Sequence, residues 1–334
     1  MCSLLSRSNV FAGASAIVTA LLSGVAGQAP AQSWKPEKNV EIVVGVGPGG
    51  GVDRAARLIQ KLWQEKGFVG VPTAVVNKPG GGGAVAWNYL NQHPGDGQVI
   101  AFITPALITN HLGGRSPLSY QDVTPLAHLG SEYLVFAVKT DSPLKTGKDV
   151  VARLRKDSTS LSVAVGSTLG GVLHLAMAQV TKTAGGDARK LRTVVLNSSA
   201  ESVTALLGGH VDLMVNTPVN TQQQLKSGML RVIAVAAPER LAAPFAEAPT
   251  WKEQGINVVG SNWRGVIGPR GLNQAQIAYW NAALARVAQS EEWRKELERT
   301  VYVNNFLTSA DARKFLEAQS NELRPLLIEL GLAK

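Results

Sequence analysis

Residues 40–53 read VEIVVGVGPGGGVD: a β-branched run, then a loop with glycine at five of the seven positions from Gly45 to Gly51, then the start of a helical pattern. A short strand that turns into a helix in this way, and repeatedly along a chain, belongs to α/β domains with mostly parallel sheets. The helical stretch from Asp53 to about Glu65 puts Ala55, Ala56, Ile59, Leu62 and Trp63 on one face, which predicts a stripe buried against a sheet. Further strands are predicted at 73–77, 99–104 and 126–130. A second set follows at 161–165, 193–196, 211–215 and 231–236, with helices between them such as Ser202–Leu207. Tyr133–Val138 (YLVFAV) is apolar at nearly every position, so it is expected to be buried on both faces where the chain passes from one half to the other. A strand at Trp263–Ile267 and helices from Asn273 onward, one opening at the capping sequence Thr308-Ser309-Ala310-Asp311, complete the pattern.

A chain of 334 residues is too long for one ordinary hydrophobic core. With 45% hydrophobic and 17% charged residues it has the composition of a globular protein, and two domains are expected. The simplest assembly puts 32–133 and 260–334 in one lobe and 134–259 in the other. Two chain crossings then form a hinge, and the cleft between the lobes is where a ligand would be enclosed.

The N-terminus carries one charge, Arg7, ahead of an apolar run of roughly 16 residues from Val10 to Val25, and Ala29-Pro30-Ala31 offers an A-x-A cleavage site. Residues 1–31 therefore read as a secretory signal peptide, cleaved near Ala31. The alternative, a membrane anchor, needs ~20 apolar residues and a basic flank that are missing here. Cys2, the only cysteine, lies in this segment, so the mature chain would have no disulfide, thiol nucleophile or cysteine metal ligand. The net charge of +9 falls to +8 once Arg7 is removed. That balance favours anions, while the scatter of charges, without basic runs or interleaved aromatics, argues against nucleic acid.

Gly45, Gly47 and Gly50 formally fit G-x-G-x-x-G, with Glu65 at the distance of a ribose-binding acid. Glu65 falls inside the helical pattern instead of ending a second strand, which counts against a dinucleotide site. No Lys-Ser/Thr follows the glycines, so a Walker A loop fails as well. What the loop does allow is close approach of its backbone N–H groups, over Val46-Gly47-Pro48-Gly49-Gly50-Gly51, to an anion at the positive end of a helix. A plain tight turn is the competing reading. Arg54, beyond the loop, is expected to point to solvent, and a bulky residue at Gly50 is expected to block close approach of the backbone, with added strain if that glycine has a positive φ. Gly80-Gly81-Gly82-Gly83, after the second strand, repeats the device. In the second half, Gly166-Ser167-Thr168 and Asn197-Ser198-Ser199-Ala200 each follow a strand and offer hydroxyl and amide donors, although Ser and Thr at such places also serve as helix caps.

Catalysis finds thin support. The five histidines show no metal-ligand spacing, no G-x-S-x-G occurs, and Ser142-Pro143-Leu144-Lys145 matches S-x-x-K without its companion motifs. His174, behind a glycine loop, reads as a packing or capping residue. No cofactor and no metal are expected.

The motifs together resemble the extracytoplasmic binding proteins of tripartite tricarboxylate transporters, the Bug or TctC type. The likeness runs from about Val40 to Gly271 through PGGGVD (48–53), NKPGGGG (77–83), GDG (95–97), SPLSYQD (116–122) and AESVTALLGGHVD (200–212). It continues through GMLRVIAVAAPERL (228–241), APTWKEQG (248–255) and NWRGVIGP (262–269). Glu201 and Asn262-Trp263-Arg264-Gly265 lean toward the tricarboxylate-receptor branch. The resemblance implies a two-lobed periplasmic binding protein, a Venus flytrap of type II-like topology with parallel-rich sheets in both lobes, and no enzymatic activity. It implies a monomer that holds a small carboxylate by glycine-loop amides, hydroxyls and water instead of a salt bridge, and delivers it to a two-subunit permease; a signalling partner is the alternative. By position, Val46–Gly51, Gly80–Gly83, Thr104, Ser167, Thr168, Ser198, Ser199 and Ala200 would line the cleft. Val46, Val52 and the stretch Asn197–Ala200 depart from the commoner family pattern, so the ligand does not follow from the resemblance.

Overall fold

The structure is a computed structural model that describes residues 34–333 apart from Ser167 and Asn197; the expected signal segment, 1–31, lies outside the described residues. The chain first lays down β1 (Val40–Val44), α1 (Gly51–Lys66), β2 (Thr73–Asn77), α2 (Ala84–Asn91), β3 (Val99–Ile103), α3 (Ala106–Leu112) and β4 (Thr124–Gly130). It then crosses to β5 (Val135–Lys139), α4 (Gly147–Lys156), β6 (Ser162–Gly166), α5 (Val172–Thr183), β7 (Arg192–Leu196), α6 (Ser199–Leu207), β8 (Leu213–Asn216), α7 (Pro218–Lys226) and β9 (Leu230–Val235). It returns for β10 (Arg264–Gly268), α8 (Gln274–Gln289), α9 (Glu291–Thr300), β11 (Leu307–Thr308) and α10 (Ser309–Glu329).

Two sheets result, a six-stranded one ordered β11-β4-β10-β3-β1-β2 and a five-stranded one ordered β7-β6-β8-β5-β9. Apart from the short β11, the two orders are the same: second, first and third strand, then the strand that arrives from a crossing, then the fourth. Both sheets are mixed. β2-β1-β3 and β7-β6-β8 are parallel, as expected of strand–helix–strand units. The crossing strands β10 and β5 run antiparallel to both of their neighbours, because each enters its sheet from the opposite end.

Helices cover both faces of each sheet, which is why β1, β3 and β6 are apolar at almost every position. Helix α1 buries the expected stripe, with Ala55, Ala56, Ile59, Leu62 and Trp63 all at 1% exposure or less. Ile59 and Leu62 of that stripe each contribute about 1.5–3 kcal/mol on full burial. The helix ends at Gly67, whose left-handed backbone (φ 62°) lets its N–H return to the Trp63 carbonyl. Trp63 packs on Trp280 of α8 with ring centroids 5.3 Å apart. In the five-stranded sheet, Phe136 meets Trp251 edge-on at 5.0 Å. Thr308 does precede α10, but its side chain makes no capping bond; the neighbouring Ser309 hydroxyl instead donates to the Pro125 carbonyl at 2.6 Å.

The two crossings lie side by side. Tyr133 bridges Ser261 in antiparallel fashion, Leu134 N–H donates to the Gly260 carbonyl (3.2 Å) and Asn262 N–H to the Glu132 carbonyl (2.8 Å). A third link comes from α10, which packs on β4 and α3 and reaches α5 through the Lys182–Glu329 ion pair. Among the described residues, no helix is long and apolar enough to cross a membrane.

Candidate functional site

The parallel strands β1, β3, β6 and β8 end at one cavity of about 420 Å³, whose wall takes in Gly45, Thr104, Gly166 and Thr217 immediately at or after those ends. Ligands of α/β sheets gather at such strand ends because the following helices begin there. Besides the short α3, which enters the wall at Ala106, five helices present their N-termini to this cavity: α1 through Gly51 and Val52, α2 through Gly83, α5 through Gly171 and Val172, α6 through Ser199, and α7 through Thr217. The first N–H groups of each helix lack intrahelical partners, and each end carries roughly half a positive charge.

The first glycine loop is held from behind. Asp53, 1% exposed, accepts from Gly49 N–H (2.9 Å), Asn77 Nδ2 (2.8 Å) and Arg57 Nε (2.9 Å), and Asn77 Nδ2 also donates to the Val46 carbonyl (3.0 Å). Burial opposes ionisation of Asp53, but these bonds win and hold its pKa at about 2. The two glycine loops meet at Gly45 and Gly83. A Cβ on Gly45 would sit 2.6 Å from Gly83 Cα, and one on Gly83, where φ is +103°, would sit 2.6 Å from the Trp87 ring. At Gly50 the φ is −68° and a Cβ would find ordinary contacts at 3.6 Å, so a substitution there carries no left-handed strain.

Arginine is the feature that the sequence reading missed. Arg54 is exposed, as expected, and it also lines the cavity, with Nη1 donating to the Gly49 carbonyl at 2.6 Å. Arg264, at the start of β10, also lines it, stacked 4.3 Å over the Tyr302 ring and so close to α1 that a Cβ on Gly51 would lie 2.7 Å from Nη2. Arg115 joins the wall, braced on Asn110 Oδ1 (3.1 Å). Among the described residues, none of the three is in an ion pair. Two acids face them, Glu132 and Glu296, and Glu296 is already paired with Arg299 at 2.7 Å. The cavity therefore has an excess of positive charge.

Of the residues expected at the cleft, Val46, Gly51, Gly82, Gly83, Thr104, Thr168 and Ser199 line the cavity. Gly47, Pro48, Gly49, Gly50, Gly80, Gly81, Ser198 and Ala200 are not among the lining residues, and Ser167 is outside the described residues. Ser198 acts as a cap, its hydroxyl accepting from Glu201 N–H at 3.2 Å. His174 caps likewise: Nδ1 accepts from Gly170 N–H (3.2 Å), and burial lowers its pKa to about 4, so the ring is neutral. Glu65 sits on the surface of α1, 3.8 Å from Lys61, far in role from a ribose-binding acid.

Residues 56–332 match the family described as tripartite tricarboxylate transporter family receptor. A UPF0065 protein of the gbd 5' region of Cupriavidus necator is 25% identical over 323 residues, 96% of this chain and 96% of that protein. Among solved structures, a TctC solute-binding protein from Polaromonas superposes with a TM-score of 0.77 at 23% identity, covering 88% of this chain and 99% of that one. An R. palustris protein with adipate superposes with a TM-score of 0.74 at 25% identity, covering 89% and 99%.

Proposed function

The chain belongs to the tripartite tricarboxylate transporter receptor family, and from that premise we propose that its cavity captures a small carboxylate, a di- or tricarboxylate by preference, for a two-subunit membrane permease. The family is one of periplasmic solute receptors, not enzymes. The observation that carries the ligand class is the convergence of five helix N-termini and three unpaired arginines on one cavity. That arrangement stabilises negative charge from several sides, and the size suits a small molecule. The R. palustris neighbour with adipate, a dicarboxylate, supports the same class. On this reading 32–133 with 260–334 and 134–259 act as two lobes hinged at the paired crossings, and the mature protein starts near Gln32 after export to the periplasm.

The test is isothermal titration of the mature protein with a panel of mono-, di- and tricarboxylates, alongside thermal unfolding. A bound ligand at 100 times its Kd adds about 2.7 kcal/mol to stability and raises Tm. Hydrogen bonds to a charged group are worth about 1.5–3 kcal/mol, so Arg54→Gln and Arg264→Gln should each weaken binding roughly ten- to a hundredfold. A protein that binds no carboxylate in the panel would overturn the reading; one that binds with both arginines replaced and affinity unchanged would remove the side-chain cations from the site.

A further inference from the structure

One acidic group in the cavity wall is not explained by anion capture. Glu132 lies on the first crossing, between β4 and β5, and is 2% exposed. Its main chain is fixed by Asn262 N–H. Its Oε2 accepts from Tyr302 OH (3.1 Å) and Asn262 Nδ2 (3.3 Å), whereas Oε1 is buried with no hydrogen-bond partner from the protein. The Thr217 hydroxyl, from the start of α7, favours the ionised carboxyl but closes no bond to Oε1. Arg264 is near enough to favour that form too, yet it is stacked on Tyr302 and makes no ion pair with Glu132. Arg264 and Glu132 thus stand in the same wall, each held in place by other groups and not joined to one another by an ion pair.

We propose that Glu132 sets specificity in this cavity by accepting, through Oε1, a hydrogen bond from a hydroxyl or ammonium group on the ligand, beside the carboxylate drawn to Arg54 and Arg264. The inference rests on the receptor reading above and deepens it. A buried acceptor without a donor penalises any ligand that leaves it unpaired, and a site built around such an acceptor rejects the analogue that lacks the donor. Burial pushes the Glu132 carboxyl up, against the smaller opposing pull of Arg264, Tyr302, Asn262 and Thr217, and a carboxyl group keeps acceptor lone pairs in either protonation form. Tyr302 is itself positioned by a costly turn: Val301, a β-branched residue, adopts a left-handed backbone (φ 56°) to end α9 just before it.

The experiment uses matched probes that differ only in the donor: succinate with L-malate and L-aspartate, glutarate with 2-hydroxyglutarate and L-glutamate, and tricarballylate with citrate. Titration calorimetry on the mature wild-type chain should find the tightest ligand among the donor-bearing members, at least tenfold tighter than its donor-free partner. Glu132→Gln keeps the shape but turns Oε1 into a donor, and should compress that ratio below threefold with the apo Tm held within a few degrees. Donor-free partners binding within threefold of the others in the wild type would overturn the inference while leaving the receptor reading intact, and this comparison needs no variant. A tenfold ratio that survives in folded E132Q would overturn it equally. Binding of no probe would overturn both readings.

Discussion

Replacing Asp53 with asparagine tests whether the glycine loop is held by a charge. The carboxylate has three donors within 2.9 Å, and its folded pKa of about 2 stands against an ordinary 3.8. At 1.36 kcal/mol per pH unit, that difference amounts to about 2 kcal/mol of stability at neutral pH. Arg57 is half-exposed, so its share is screened and the figure is an upper estimate. The folded pKa is depressed, so the stabilisation is complete above the unfolded value and is lost as pH falls from about 4 through 2. Asp53→Asn keeps the shape and the Asn77 contact but turns one oxygen into a donor facing Gly49 N–H and Arg57. Urea unfolding of both proteins at pH 7 should give a difference of about 2 kcal/mol, shrinking to about half near pH 3 as Asp53 of the unfolded wild-type chain takes up its proton. Ligand affinity should fall in parallel, since the loop carries Val46 and Gly51 into the cavity. A difference below about 0.5 kcal/mol at pH 7, or one that does not narrow in acid, would refute the account of Asp53 as an ionised anchor.

Two further outcomes follow from the loop and the crossings. Gly83→Ala should cost at least about 2 kcal/mol by urea unfolding, from its +103° φ and the overlap with Trp87, whereas Gly50→Ala should stay within about 1 kcal/mol; similar costs at the two sites would contradict the loop geometry. In small-angle scattering, saturating carboxylate should reduce the radius of gyration through closure about the 131–134 and 260–262 ribbon. An unchanged radius at saturation would count against a hinge.

Much of this fold could be read along the chain because its signals are local. The ten longer strands fall within about two residues of the runs predicted for them, and the α1 stripe is the one its spacing requires. Two-residue β11 has no pattern of its own and exists only through pairing with β4. The site was legible only where one segment builds it. Gly82, Gly83 and Thr168 announce themselves as turn and cap residues, but Arg264 reaches α1 across more than 200 positions, and Tyr302 reaches Glu132 across 170. Arg54 is exposed on the outer face of α1, as helical periodicity places it, but periodicity does not say that this face borders a cavity shared with Arg264 and Tyr302. The lone acid in the apolar stretch GSEYLVF was the available signal for Glu132.

The shared strand order has an electrostatic consequence for the proposed receptor cycle. Each sheet brings to the cavity the same unit, a strand end followed by a helix N-terminus, so the surfaces that would meet on closure are both positive. In an open, wet cleft their fields are screened over about 8 Å at physiological salt. Closure expels that screening water, which makes an empty closed state costly and an anion between the two halves stabilising. In that cycle the N-termini that draw the ligand in would also favour an open free protein. Glu132 stands on the crossing itself, with Oε1 facing no donor from the protein. A simple anion satisfies the arginines and helix ends but meets that oxygen without a donor. A ligand with a hydroxyl or ammonium beside its carboxylate satisfies both, and it is the species for which the closed state costs least.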